Sequence, residues 1–470
     1  MDDNPWTGDA CSLVDAFRSK ELSPLEALES CLAAIERSQL NAFSYLDPER
    51  AREAARNADV KLPFGGVPIG VKELEHVSEW PYSEASLVFK DRKSDFDATA
   101  ITRLRKAGAV LAGQTTASEF GGVNCTTSRL HGTTRNPWSL ELTPGGSSGG
   151  SAAAVSGGLI PIATGSDGGG SIRIPAGFTG TFGLKATFGR IPRGPQCENP
   201  PLTVTLGCLS RSVRDTARWF DVCNGYDAHD TLSLPRVGSW EAELGTFDLT
   251  DYRVAVVGDL GGAVVSPAVM ALVEDAASSL ISSCRLKRTE VKIELPVAGF
   301  EWAMSNLVSL MATLGDLYPG CEQDLTPEIQ LAMNIAHHSY NLELAGSVER
   351  FRTQMNEAMA SVFDQVDLLI TATNPDVAFD AAGPMRTTVA GRDLVAESGL
   401  VAALSNNGAL TFPANLTGVP AVSIPIGSVN GLPVGMQIIA SHHKEQILLD
   451  LALSVERERP WPLVAPSSPL

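Results

Sequence analysis

The sequence predicts a layered α/β protein, and two patterns carry that expectation. An apolar strand over Val67–Val71 is followed by an amphipathic helix over Ala98–Lys106, and Ala109–Ala112 restarts as a strand. Strand, helix, strand alternation of this kind builds layered α/β folds. Near the C-terminal end, Val419–Ile426 and Val434–Ala440 are apolar strands joined through Asn430-Gly431, a strong hairpin-turn signal. With 470 residues and 44% apolar composition, the chain can bury a large core.

The remaining elements follow in chain order. The first 60 or so residues read as helices. Ser23-Pro24-Leu25-Glu26 supplies an N-cap, a proline at the first helical position and a capping-box glutamate. Leu25, Leu28, Leu32 and Ile35 then recur on one face. From Gly65 the texture changes to short β-rich runs, and Gly108 stops the 98–106 helix. Ser212 caps a helix running to Cys223, Arg253–Val257 reads as a strand, and Ser266-Pro267 opens another helix. Residues 297–365 are helical by pattern almost throughout, with Thr326-Pro327-Glu328 as a fresh start, the kind of insert that roofs a site. No internal repeat and no Pro-rich linker divides the chain.

Composition removes several function classes. The net charge of −18 argues against a nucleic-acid partner, since phosphate binding draws on clustered Lys and Arg. Met1-Asp2-Asp3-Asn4-Pro5 has neither a basic start nor an apolar run, so a cytoplasmic protein is expected. No stretch reaches the roughly 18 apolar residues of a membrane span, and no membrane partner is expected. The eight cysteines are scattered without a Cys-x-x-Cys pair, as befits reduced, mostly buried thiols. His337-His338 and His442-His443 are adjacent pairs, which cannot share a helix face as metal ligands at i and i+4 do. Neither a metal nor another cofactor is predicted.

Chemistry concentrates in three segments. Lys72 ends the apolar run Gly70-Val71-Lys72; a lone lysine is usually a solvated strand-end cation, but one held near the core loses solvation and becomes a neutral amine able to accept a proton. To act near neutrality it must fall from about 10.4 to near 7, a differential cost of about 4 kcal/mol. Gly145-Gly146-Ser147-Ser148-Gly149-Gly150 could be a flexible linker, yet Ser151–Val155 is a good helix start, which makes the glycines a tight loop entering a helix. A phosphate-binding reading lacks both the P-loop lysine and the dinucleotide glycine spacing. In Asp167-Gly168-Gly169-Gly170-Ser171-Ile172-Arg173, consecutive glycines let backbone N–H groups approach a ligand unobstructed, as an oxyanion hole requires; the bland alternative is a surface turn. Asp167 and Arg173 flank that loop, either as solvated charges or as a buried pair that pins it.

Residues 145–176 together resemble the whole glycine- and serine-rich signature of the amidase-signature family, with every fixed position met. The similarity extends to Gly66–Lys72, Thr133–Trp138, Gly183–Lys185 and Pro413–Pro420, and fades over roughly 226–400. One departure is Glu73, where many relatives carry aspartate after the lysine.

The resemblance implies an α/β/α sandwich around a large twisted mixed sheet, formed as a single domain over 1–470. Within it, 61–215 is the expected catalytic core, 297–365 a helical cover, and 366–470 strands and a helix returning to the core. It also implies a Ser, cis-Ser, Lys triad on Ser171, Ser147 and Lys72, the peptide before Ser147 being cis. Amides of Gly168, Gly169 and Gly170, with Ser171 as a further donor, hold the oxyanion in that scheme. Asp167, Arg173 and Ser148 support the loops, and Gly121-Gly122 resembles the part that lines the acyl pocket. The implied activity is hydrolysis of a small aryl or alkyl amide, with carbamates or ureas as the alternative; the oligomeric state stays open, a homodimer being common in similar enzymes. A tRNA-dependent amidotransferase A-type subunit shares the signature. The acidic charge counts against it, and so does Thr203–Gly207, which does not resemble the Ser-Ser-Leu-Asp-Gln of that subfamily.

Overall fold

A computed structural model describes residues 5–197, 201–466 and 468, so Met1–Asn4, which entered the reading of the N-terminus, lies outside the described residues. Its centre is an 11-stranded sheet. In spatial order the strands are Phe43–Leu46, Val110–Thr115, Pro68–Lys72, Ile162–Asp167, Thr205–Ser210, Phe182–Lys185, Ala421–Val429, Leu432–Ala440, Leu368–Ala372, Arg253–Val256 and Lys287–Arg288. The sheet is mixed: Pro68–Lys72 runs parallel to both its neighbours, whereas Thr205–Ser210 and the C-terminal hairpin pair antiparallel.

Side chains alternate across a strand, so consecutive residues report opposite faces. Ile162 and Cys208 belong to the largest apolar cluster, which also takes Ile101 and Leu104, Val213 and Phe220, Val273, and Leu448 from helices over 99–106, 213–223, 267–283 and 445–458. Their neighbours Ala163 and Leu209 belong to a second cluster with Ala152–Val155 and Ala176, from helices Gly149–Ser156 and Arg173–Thr179. Helices therefore cover both faces, and the fold is the α/β/α sandwich with a large mixed sheet that the sequence led us to expect.

Most local signals act as read, but Phe43–Leu46, inside the stretch expected to be helical, is the edge strand of the sheet. Ser23 and Glu26 form a complete capping box, Ser212 accepts from the Asp215 amide, and Val429 pairs with Leu432 across the Asn430-Gly431 turn. The 297–365 segment folds into helices Gly299–Leu314, Pro327–Ser339 and Leu342–Gln365. Met304, Leu307, Leu325, Ile329 and Met333 there form an apolar cluster of their own, which packs on Val88, Phe89 and Phe120. Among the described residues, no helix is long and apolar enough to cross a membrane.

Candidate active site

Parallel strands Pro68–Lys72 and Ile162–Asp167 end on the same side, and their carboxyl ends deliver Lys72, Ser166 and Asp167 to one place. Such ends are where open α/β sheets bind ligands. Lys72 is fully buried, its amide donating to Thr164 Oγ1 across 2.9 Å. Its Nζ lies 2.7 Å from Ser147 Oγ and 2.9 Å from Ser166 Oγ. Burial pushes the ammonium down to about 7, while the charges of Glu75 and Asp167 act in the opposite sense.

Ser147 is reached by a loop that leads into the helix Gly149–Ser156, and its peptide with Gly146 is cis. Backbone packs directly on that loop: a methyl at Gly146 would stand 2.7 Å from the Val123 carbonyl oxygen and 2.8 Å from the Cys125 nitrogen. Only glycine fits so close an approach. Ser148 ties the two glycine loops together, its amide donating to the Ser171 carbonyl at 3.3 Å and its hydroxyl to the Ser166 carbonyl at 3.2 Å. Ser171 sits half-buried in the turn before the helix Arg173–Thr179, and among the described residues its hydroxyl has no hydrogen-bond partner.

Asp167 and Arg173 form a fully buried two-pronged pair, with Nε to Oδ2 at 3.0 Å and Nη2 to Oδ1 at 2.9 Å. Burial opposes the charge on Asp167, but Arg173 and the Asn415 amide outweigh it and hold the carboxyl well below the usual carboxylate range. Arg173 is saturated further by Gln437 Oε1 at 2.6 Å, Asn415 Oδ1 at 2.6 Å and the Thr411 carbonyl at 3.2 Å.

The glycine loop differs from expectation at one position. The Gly170 amide donates to Asp167 Oδ1 at 2.8 Å and is not available to a ligand. Among the described residues, the amides of Gly168, Gly169 and Ser171 have no acceptor. Gly121 lies beside Ser147, where an added methyl would be 3.4 Å from its Oγ, and Gly122 lies against Ile329 of the helix Pro327–Ser339. Glu73 is buried, its Oε1 accepting from Ser83 Oγ at 2.5 Å and lying 2.6 Å from His131 Nε2.

Residues 26–449 match the Amidase family. The chain belongs to the amidase family. The A-type subunit of the glutamyl-tRNA(Gln) amidotransferase from Symbiobacterium thermophilum is 32% identical over 481 residues, covering 95% of this chain and 96% of that protein. Among solved structures, a bacterial aryl acylamidase of the amidase signature family superposes with a TM-score of 0.88 at 26% identity, covering 97% of each chain. A substrate complex of 6-aminohexanoate cyclic dimer hydrolase gives a TM-score of 0.88 at 29% identity over 100% of both chains. The chain is an amidase-family enzyme, and the sandwich is the fold of its relatives.

This amidase places further residues around the site that were not read from the sequence. Ser166, just before Asp167, shares Lys72 with Ser147. Asn415 bridges Asp167, Arg173 and the Thr203 carbonyl; it lies inside the Pro413–Pro420 similarity, which was its one available signal. Glu75, two residues beyond Glu73, is buried, with the Thr164 hydroxyl as the polar group acting on its carboxyl. Burial pushes its carboxyl up to about 7, with the Thr164 hydroxyl and then the Lys72 charge working against that rise. Trp302, from the stretch where similarity fades, donates its indole N–H to the Gly168 carbonyl at 2.7 Å and stacks on Phe412.

Proposed function

We propose that the chain hydrolyses a carbon–nitrogen bond of a small aryl or alkyl amide, with Ser171 as nucleophile, Ser147 as proton relay and Lys72 as base. The observation that carries this reading is the 2.7 Å contact between Lys72 Nζ and Ser147 Oγ, made by a lysine whose burial favours the neutral amine. A neutral Nζ accepts the Ser147 proton as Ser147 Oγ accepts that of Ser171, and Ser171 Oγ attacks the carbonyl carbon. The tetrahedral oxyanion is held by the amides of Gly168, Gly169 and Ser171 rather than by Gly170, whose N–H is committed to Asp167. The ammonium then returns its proton through Ser147 to the leaving nitrogen, and the amine departs. Water attacks the acyl-enzyme through the same relay and releases the acid.

The aromatic pair Trp302 and Phe412 flanks Gly169, two positions before Ser171, and favours a substrate with an apolar acyl or aryl group. The 32% identity to one component of an amidotransferase raises a second reading, in which the chain acts only within an assembly on a tRNA-linked substrate. The net charge of −18 and the Thr203–Gly207 sequence weigh against it.

The test is a screen of the purified chain, alone, against anilides, primary amides, esters and carbamates, with released amine measured. Turnover of an anilide or alkyl amide is expected, abolished in Ser171→Ala and nearly so in Lys72→Ala. Unchanged turnover in either variant would overturn the triad. Activity on carbamates alone would replace the substrate class, and no turnover of any of them would favour the assembly-dependent reading.

A further inference from the structure

The Asp167–Ser171 loop owes its orientation to bonds on its carbonyls. In a planar trans peptide, the carbonyl of one residue and the N–H of the next point in opposite directions, so a bond that fixes the one aims the other. The peptides of this loop are trans. The Asp167 carbonyl accepts from Asn415 Nδ2 at 2.9 Å, which aims the Gly168 amide. Thr411 Oγ1 donates to the Gly169 carbonyl at 2.6 Å, which sends the Gly170 amide back to Asp167 Oδ1. The Gly170 carbonyl accepts from the Ile174 amide at 2.6 Å and so aims the Ser171 amide.

The remaining peptide, Gly168–Gly169, is held from outside the sheet. Its carbonyl accepts the Trp302 indole N–H at 2.7 Å, and Trp302 comes from the helix Gly299–Leu314 of the cover. The ring is itself fixed, lying 4.3 Å from the Phe412 ring at an interplanar angle of 16°. Both rings press on Gly169: a methyl there would stand 2.5 Å from Trp302 and 3.0 Å from Phe412. The peptide is clamped between an aromatic wall and a single donor.

We propose that Trp302 is a positioning residue for the oxyanion: its indole N–H holds the Gly168 carbonyl and thereby aims the Gly169 amide into the site. This rests on Ser171 being the nucleophile. A ring without the N–H keeps the wall but frees the peptide to turn, and a donor that turns away in the ground state must be reoriented as charge develops in the transition state.

Trp302→Phe is the discriminating variant, since it keeps an aromatic ring against Phe412 and loses the donor together with part of the ring area. Its kcat on an anilide is expected to fall about 10- to 100-fold, at or below the effect of deleting one oxyanion donor. KM should stay within about 2- to 3-fold, since the lost interaction acts in the transition state. Affinity for an arylboronic acid, which forms a tetrahedral adduct on the serine, should fall by the same factor as kcat. Trp302→Leu, which removes the wall as well, should lose at least as much kcat and raise KM besides. An unchanged kcat in Trp302→Phe overturns the proposal, and so does a rise in KM at constant kcat, which would make Trp302 a ground-state binding wall. Ser171→Ala is measured alongside: a fully active Ser171→Ala means that the nucleophile reading has failed, whereas an inactive one beside an unaffected Trp302→Phe removes this inference alone.

Discussion

Lys72 Nζ stands 2.7 Å from Ser147 Oγ at a point where neither side chain has more than a trace of exposure. A base in that position is useful only when uncharged, and burial brings its titration to about 7. The value of kcat/KM should therefore rise with pH through a midpoint near 7 and level off above it, since this ratio reports the free enzyme. A profile flat from pH 5 to 9 would remove Lys72 from the role of base.

Glu75 should set where that midpoint falls. Its carboxyl is pushed up to about 7 by burial, so its negative charge emerges over the same pH range in which Lys72 gives up its proton. That charge, together with Asp167, raises the lysine. Glu75→Gln removes the nearer influence in the chain, and the kcat/KM midpoint is expected to move to lower pH by ~1 unit with kcat on the plateau retained. A midpoint that stays in place, measured on the same anilide, would show that Glu75 is electrostatically silent at the lysine.

The buried amine also destabilises the fold, and the sign can be worked out. In the unfolded chain the lysine titrates near 10.5 and in the folded one near 7, so between these values the unfolded state binds more protons. The penalty is absent above about 10.5, grows as pH falls and is complete below about 7. A shift of this size is worth roughly 4–5 kcal/mol, against which two lost hydrogen bonds subtract about 1 kcal/mol each. Lys72→Met should thus be inactive and more stable by ~2 kcal/mol at pH 7, with the gain turning into a loss of ~1 kcal/mol by pH 10. Urea unfolding of both proteins at pH 7 and pH 10 checks it, and a variant less stable than the parent at pH 7 contradicts it.

What the sequence revealed and what it withheld divide along contact range. Lys72 at a strand end, the serines of 147–148 and the Asp167–Arg173 pair were legible because strand, glycine loop and helix signals are local and lie within a few residues of the groups they place. The capping box at Ser23 and the hairpin at Asn430-Gly431 were legible for the same reason. Trp302 meets Gly168 across 134 positions and Asn415 meets Asp167 across 248, and no local pattern encodes such meetings. Gly170 was misread for another reason. Three glycines in a row look equivalent, yet the aspartate three positions earlier captures the amide of the last, as short polar side chains in turns do. The Asp-x-x-Gly spacing was in view, and weighing it would have singled Gly170 out.

The Asp167–Arg173 pair should be costly to break on one side. Arg173→Met leaves a carboxylate buried without its partner, and such a loss typically costs 3–5 kcal/mol. The double variant Asp167→Asn, Arg173→Met removes both charges and should recover about half of that, because the asparagine can still accept from the Gly170 amide as Asp167 Oδ1 does. Chemical denaturation of the two variants gives the difference directly. Equal stabilities for the single and double variants would mean that the charge on Asp167 is compensated elsewhere.

Glu119 should anchor the helical cover. It is buried behind the site, its Oε1 accepting from Ser86 Oγ at 2.7 Å and its Oε2 from both the amide and the hydroxyl of Thr326, each at 2.7 Å. Thr326 is the residue from which the helix Pro327–Ser339 starts, and spending its hydroxyl on Glu119 leaves that helix without a side-chain cap of its own. The carboxylate thus trades a local cap for a tie between the cover and the loop that carries Gly121. Glu119→Ala strands three buried donors, a loss of about 2–4 kcal/mol. The loss should fall on Pro327–Ser339 first, because Leu325, Ile329 and Met333 belong to an apolar cluster separate from the sheet's, whereas Phe351, Met355 and Val362 of Leu342–Gln365 join the sheet's cluster. Hydrogen exchange should quicken in Pro327–Ser339 while the strand Ile162–Asp167 keeps its protection. If both segments exchange faster together, the cover is an integral part of the sheet's cooperative unit and Glu119 is not its anchor.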